Sequence, residues 1–328
     1  AYPPMLEAIR GAKESVVLMS YIFDSDRAGD QFLEALVAAR DRGVEVRVLI
    51  DHVGSRYSRP TMVSRMRKAG IQVAAFLPPG RVGMFRFANL RNHRTILVVD
   101  GSRGCAGGTN IREGHWFELK PAFPVRCLRF RVRGPVVAHL MEAFATDWAF
   151  TTGERLEGAP WFQPIGRCGD VGARGISDGP DEDIDNIQQV ILGALASATD
   201  RVRIVTPYFL PDDVVRWSLA VAAMRNVKID IVLPERSNIF LMNWACVPQM
   251  PFLLEKKCRI FRSPEPFDHS KLVVVDGVWS LIGSTNWDAR SLRLNFEYNI
   301  ECYDEKLAGQ LEKIVDDKIA AARELTLE

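Results

Sequence analysis

The sequence predicts an α/β fold made of two lobes related by a pseudo-twofold, each with a mostly parallel sheet covered by helices. Three observations carry this. Strand-like and helix-like runs alternate along the chain, the same order of runs occurs twice, and one stretch rich in Gly, Pro and Asp separates the two occurrences. Alternation of strands with helices is the pattern of a sheet buried on both faces.

The first run, "MLEAIRGAKE", reads as a helix. "SVVLMSYIF" follows, a β-branched run short enough to be a strand rather than a helix. "GDQFLEALVAARDRG" places Phe32, Leu33, Leu36 and Val37 on one helical face and stops at Gly43. "VEVRVLID" then alternates like a strand, and "HRTILVVD" (93–100) is a second apolar strand with polar ends.

In the second half "RVRIVTPYF", "VAAMRNVKIDIVLP" and "HSKLVVVD" (269–276) repeat these features in order. His269 follows His93 by 176 residues, and Asp276 follows Asp100 by the same 176; "GGTN" at 107–110 and "GSTN" at 283–286 keep that spacing. We read a duplicated unit, with lobes at 1–155 and 181–328 and a linker at 156–180. The final run, "KLAGQLEKIVDDKIAAARELTLE", reads as an amphipathic structural helix.

Composition narrows the chemistry. The 328 residues are 47% hydrophobic and 25% charged, enough for a substantial core, and the formal net charge is +1. That balance gives no global attraction to nucleic acid, so anion binding must rest on a local cluster. Six scattered cysteines without a C-x-x-C pair argue against a zinc site or a disulfide scaffold. No window reaches the run of about 18 apolar residues a spanning helix requires. The start at Ala1, not Met, is read as the soluble remainder of a longer protein.

The duplicated polar string is the candidate site. Alternation along a strand puts His269 and Lys271 on one face, two basic groups converging where a phosphodiester would fit. Ser284 and Asn286 repeat the i, i+2 spacing on the following turn and add neutral donors. Glu297, 28 residues past His269, is expected to accept a proton from its ring and fix the tautomer. The first copy supplies His93, Gly108 and Asn110 at the equivalent points, but Thr95 stands where the second copy has Lys271.

H-x-K-x-x-x-x-D followed by G-[SG]-x-N, occurring twice, resembles the signature of the phospholipase D superfamily. "HSKLVVVDGVWSLIGSTN" matches it throughout, and "NHRTILVVDGSRGCAGGTN" matches with the Lys missing. The flanks "TPYFLPDD", "LPERSN…NWA" and "NWDARSLRLNFEYN" are similar to bacterial cardiolipin synthases over nearly the whole chain.

The resemblance implies a phosphatidyltransferase that works through a phosphohistidine, with no metal or other cofactor. It implies His93 and His269 as the reacting pair. Phosphate contacts fall on Lys271, Asn110, Asn286 and Ser284, with Gly108 and Thr95 at the matching first-half positions. Glu297 orients His269, and Asp100 and Asp276 hold the fold. Phosphatidylglycerol is the implied substrate, with phosphatidylethanolamine as the alternative donor. The implied place is a membrane surface, on the cytoplasmic face of a bacterial inner membrane. A phospholipase D or nuclease of the same superfamily, or a catalytically dead lipid-binding relative, are the other readings; the net charge of +1 speaks against a nuclease.

Two departures from the family pattern fall in the first half. Thr95 replaces the lysine, and an Asp-x-His expected ahead of "RVRGPVV" is here Cys127 and Arg129. The missing Asp would have oriented His93. Arg94, Arg112 and Arg126 are the candidates to replace the lost cation. "FLPPGRVGMFRFANLRN" is a candidate lipid-entrance loop.

Overall fold

The computed structural model describes residues 1–78, 89–238 and 244–327. They form two compact units, one of residues 1–124, 128–169 and 295–298, the other of 125–127, 170–294 and 299 onward. Each unit therefore contains a short segment that belongs by sequence order to the other half. Most of the candidate lipid-entrance loop, residues 79–88, lies outside the described residues.

The first unit holds strands β1 (Ser15–Ser20), β2 (Glu45–Asp51), β3 (Gln72–Phe76), β4 (Ile96–Val99), β5 (Arg103–Gly107) and β6 (Arg129–Arg133). They form one sheet in the order β3-β2-β1-β4-β5-β6. β1, β2 and β3 are parallel, joined through helices α2 (Arg27–Asp41) and α3 (Met62–Lys68). β4, β5 and β6 are antiparallel to their neighbours. The sheet is thus mixed, where the alternation of strands and helices predicted mostly parallel. For the β4–β5 pair the cause is the turn between them: a connection that short can only return the chain antiparallel, since a parallel crossover needs a dozen or more residues.

Helix α2 begins where Asp26 caps it, its side chain accepting from the Gly29 amide. Its apolar stripe buries Phe32, Ala35, Leu36 and Ala39 in a cluster with α1 (Tyr2–Arg10), Val16 and Leu18 of β1, and Val46 and Val48 of β2. Full burial of side chains such as Phe32 or Leu36 stabilises the unit by roughly 1.5–3 kcal/mol apiece. Helix α4 (Val136–Thr152) packs on β1, β3, β4, β5 and β6. Gly104 in β5 leaves room for this packing: a Cβ there would meet the side chains of Val132 of β6 at 2.8 Å and Leu140 of α4 at 3.1 Å, and these would have to shift.

The second unit repeats the plan with β8 (Arg201–Val205), β10 (Lys228–Pro234), β11 (Arg259–Ser263), β12 (Leu272–Val275), β13 (Trp279–Gly283) and β15 (Glu297–Tyr303), while the short strands β9 (Phe209–Leu210) and β14 (Trp287–Asp288) pair with each other. Its sheet is also mixed: β8, β10 and β11 are parallel, while β12, β13 and β15 are antiparallel. β15 starts in residues assigned to the first unit and continues in the second. The 156–180 stretch read as a linker is partly structured. Leu156 and Trp161 are buried, and Gly172–Asp178 forms β7, which pairs at the edge of the second sheet beside β15. Its Gly and Pro content hid the strand-forming "ARGIS".

The C-terminal helix is shorter than its sequence pattern. It spans Glu305–Ala320, after which Arg323 and Glu324 pair antiparallel with Arg262 and Phe261. Leu325 packs against the second core, so burial of that side chain competes successfully with another helical turn.

Candidate active site

The turns at Asp100 and Asp276 set the register of the two histidine-bearing strands. Asp100 and Gly101 have φ of +51° and +59°; Asp276 and Gly277 have +51° and +66°. Asp and Gly are residues that tolerate this left-handed conformation, which a tight hairpin requires. Each aspartate also ties its turn to the start of the neighbouring strand. Asp100 accepts from the amides of Lys13 (2.9 Å), Glu14 (2.9 Å) and Ser15 (3.3 Å). Asp276 accepts from the amides of Thr199, Asp200 and Arg201 at 2.7–2.9 Å and from the Thr199 hydroxyl. Although burial opposes the charge, these donors, joined by Arg103 at Asp100, hold both carboxyls below the ordinary aspartate range.

His93 lies just ahead of β4. Its amide donates to the Phe296 carbonyl at 2.8 Å, and the Phe296 amide donates to the Arg91 carbonyl at 2.8 Å. The segment 295–298 is thereby laid against residues 91–93, and it brings the next side chain to the ring. Glu297 Oε1 is 3.0 Å from His93 Nδ1, and the glutamate is completely buried. The sequence assigned Glu297 to His269; the structure places it on His93. The reason is topological, because the strand that carries Glu297 enters the first unit for four residues before joining the second sheet. Asn295 Nδ2 is 3.3 Å from the same nitrogen, and the Tyr21 ring packs on the imidazole with centroids 4.4 Å apart. Neither contact was visible in the motif, although Tyr21 lies in the "SVVLMSYIF" run, directly after β1.

The floor beneath His93 is a buried polar network. Arg94, on the opposite strand face, is 1% exposed and pairs with Asp147 at 2.7 Å; Asp147 also accepts from Asn92 at 2.7 Å. The Arg94 Nε donates to the Glu297 carbonyl at 3.1 Å, tying the glutamate's backbone to the same network. Asp51 accepts from the Asn92 amide at 3.0 Å, and its burial pushes its carboxyl up.

His269 has a related frame in the second unit. Its amide donates to the Arg126 carbonyl at 2.7 Å, as that of His93 does to Phe296. Residues 126 and 127 therefore stand to His269 as 296 and 297 stand to His93. The counterpart of Glu297 is Cys127, and its thiol donates to the His269 carbonyl at 3.3 Å. The orienting acid that the sequence sought for His93 at position 127 is accordingly a His269 position, and in this chain it is a cysteine. Lys271 Nζ is 3.1 Å from both ring nitrogens of His269 and 2.8 Å from its carbonyl. Tyr208 meets the ring edge-on at 6.1 Å.

The neutral donors are buried. Asn110 uses Oδ1 to accept from the Ile22 amide at 3.1 Å, which turns its NH2 end away from that backbone. Gly108, directly before Thr109 in the same loop, is buried with it. In the second unit Asn286 donates to Ser291 at 3.0 Å, and its Oδ1 is buried with no hydrogen-bond partner. Rotating that amide lets Ser291 donate to Oδ1 and frees the NH2 group for an anion. Ser284, on the same loop, is 3% exposed. Thr95 is buried, and its hydroxyl donates to the Gly107 carbonyl, so it acts as a strand-end brace.

Two of the candidates for the missing first-half cation are engaged elsewhere: Arg94 pairs with Asp147 and Arg112 pairs with Asp24 at 3.2 Å. Arg126 belongs to the second unit, where its backbone bridges to that of Asp268. Among the described residues no group of His, Cys, Asp and Glu is arranged to hold a metal ion, and no helix is long and apolar enough to cross a membrane.

Two repeated units, each with a histidine-bearing strand followed by a Gly-x-x-Asn loop, define the phospholipase D class of phosphodiester enzymes. The family model described as cardiolipin synthase, PLD-like domain, matches residues 5–122 and 191–319. The chain is 35% identical over 329 residues to cardiolipin synthase A of Pseudomonas fluorescens, covering 100% of this chain and 68% of that protein. It is 31% identical over 326 residues to a cardiolipin synthase of Oceanobacillus iheyensis, again covering 68% of the relative. Among solved structures, the phosphatidylserine synthase of Haemophilus influenzae superimposes with a TM-score of 0.76 at 16% identity, over 98% of this chain and 84% of that one, which shows a shared fold. The chain belongs to the phospholipase D-like cardiolipin synthase family.

Proposed function

We propose that the chain is a phosphatidyltransferase that joins two phosphatidylglycerol molecules into cardiolipin and glycerol, acting at a membrane surface. The observation that carries the reading is the buried Glu297 carboxylate on Nδ1 of His93. An ionised carboxylate can only accept, so the ring proton sits on Nδ1 and the Nε2 lone pair points away from the glutamate. That is the tautomer a histidine nucleophile needs.

In the first step His93 Nε2 attacks phosphorus. A P–N bond forms, the P–O bond to the glycerol head breaks, and His269 gives its proton to the leaving oxygen. In the second, His269 takes the proton from a glycerol hydroxyl of another phosphatidylglycerol. The resulting oxygen attacks phosphorus, the P–N bond breaks, and His93 is restored. Lys271, Asn110, Asn286 and Ser284 donate to the phosphoryl oxygens as their charge grows. Relatives named cardiolipin synthase over the full length of the chain support the choice of lipid.

The test is incubation of the chain with phosphatidylglycerol vesicles in EDTA, following cardiolipin and glycerol together. A labelled donor quenched early should leave label on His93. Phosphatidate without cardiolipin would mark a hydrolase, and no turnover by a folded chain would mark a lipid-binding relative.

A further inference from the structure

The two units differ at one row of their sheets in a way that suggests where the first cation went. In the second unit Lys271 lies one position before the Leu272–Ile282 pair, and the next residue of β13, Gly283, pairs with Asn299. In the first unit Thr95 lies one position before the Ile96–Ala106 pair, and Gly107 pairs with Arg129. The row that reads Lys, Gly, Asn in one unit reads Thr, Gly, Arg in the other. A positive charge has left one end of the row and another stands at the other end, two strands away.

The middle residue makes that exchange feasible. Gly107 has φ +146° and no side chain, and a Cβ there would come within 2.7 Å of the Leu128 carbonyl. The chain bends at this glycine, and the Arg129 guanidinium bridges the bend. Nη1 donates to the Thr109 carbonyl at 3.0 Å and Nη2 to the Cys105 carbonyl at 3.4 Å. The charge is thus fastened to the loop that carries Gly108 and Asn110, on the side of β5 away from Thr95. Thr95 itself donates to the Gly107 carbonyl, so both ends of the row close on one glycine. In the second unit Asn299 serves the neutral equivalent, donating to the Thr285 hydroxyl at 2.6 Å.

We propose that Arg129 supplies the phosphate-binding positive charge of the His93 half-site, in place of a lysine at position 95. Guanidinium is charged at every working pH, and the Arg129 guanidinium is fixed to the loop that carries Asn110. The proposal rests on the phosphodiester reading of the site.

Arg129→Gln, Arg129→Lys, Thr95→Lys and the double variant Thr95→Lys/Arg129→Gln test it through two readouts. The first is kcat/KM for phosphatidylglycerol conversion. Arg129→Gln is expected to lose about a hundredfold, the low end for removing one preorganised donor. Arg129→Lys should keep most of the rate. Thr95→Lys should restore about tenfold in the Gln background and gain less than about threefold alone. A rate for Arg129→Gln within about twofold of the parent, or equal gains from Thr95→Lys in both backgrounds, overturns the proposal. Should Arg129→Gln fail to fold, Thr95→Lys alone decides, and a gain above about threefold overturns it.

The second readout is inorganic phosphate binding, followed by calorimetry on the same proteins. It separates the two levels of inference. A parent chain that turns over no lipid but binds phosphate in an Arg129-dependent way sinks the transferase reading and keeps the cation assignment. Phosphate binding that is absent, or equal in all variants, from a chain without turnover sinks both.

Discussion

Glu297 and His93 are 204 residues apart in sequence and 3.0 Å apart in the structure. The contact reverses the simplest reading of the duplicated motif, in which each histidine takes its acid from its own half. It also leaves the two histidines differently equipped. His93 has a buried carboxylate and a threonine two residues on, while His269 has Lys271 against its ring and a cysteine at the carboxylate position.

Glu297→Gln keeps the side-chain volume and removes the charge. Loss of about 10²-fold in kcat is expected, the low end of what a positioned acid–base partner contributes. The label trapped on His93 should fall in parallel. An unchanged rate with an unchanged melting temperature would remove Glu297 from the mechanism.

Cys127→Asp should place a carboxylate beside His269, as Glu297 stands beside His93. We expect a severalfold faster transfer step, measured by the decay of trapped phosphohistidine after adding acceptor lipid. Decay at the parent rate would show that the Lys271 contact already suffices.

His269→Ala is expected to abolish turnover, and Lys271→Gln to reduce it by about 10²-fold through loss of one charged donor. Substantial cardiolipin formation by His269→Ala would exclude it from the reacting pair.

Arg94 and Asp147 form a buried pair at 2.7 Å beneath the site. Asp147→Asn should cost about 3–5 kcal/mol, since it leaves Arg94 buried and uncompensated. Arg94→Met/Asp147→Leu should recover much of that stability. Chemical denaturation of the single and double variants decides it, and a single-variant loss below about 1 kcal/mol would contradict the packing described.

The turn aspartates set a pH dependence. Asp100 and Asp276 have folded values depressed below the ordinary aspartate value. Their contribution to stability is therefore complete above the unfolded value, about 3.9, and fades as pH falls from there through the folded values. Asp276→Asn should lower the melting temperature at pH 7 and narrow its gap to the parent as pH falls below about 3.9. A gap that stays constant into acid would mean these carboxyls are not held ionised by the fold.

Much of this protein is legible in its sequence because the duplication prints each element twice. His93 with His269, Asp100 with Asp276, and Asn110 with Asn286 share one offset, and chance does not maintain such a register. Local chemistry then gives the strands and the apolar face of α2 that ends at Gly43. The mixed sheets were not legible, because helix–strand alternation says nothing about the hairpins that follow it. Nor was strand β7, hidden in Gly- and Pro-rich surroundings.

The partners of the site were decided by tertiary structure alone. A motif fixes which residues share a strand face, since alternation is a local property of the backbone. It cannot fix which strand comes to lie beside another, and that is what gives Glu297 to His93, Cys127 to His269 and Arg129 to the row that begins at Thr95. The sequence by itself determined two histidines on duplicated strands and the loss of one lysine. Pairing between segments far apart in the chain, which no local pattern fixes, decided that a carboxylate stands beside one histidine and a thiol beside the other.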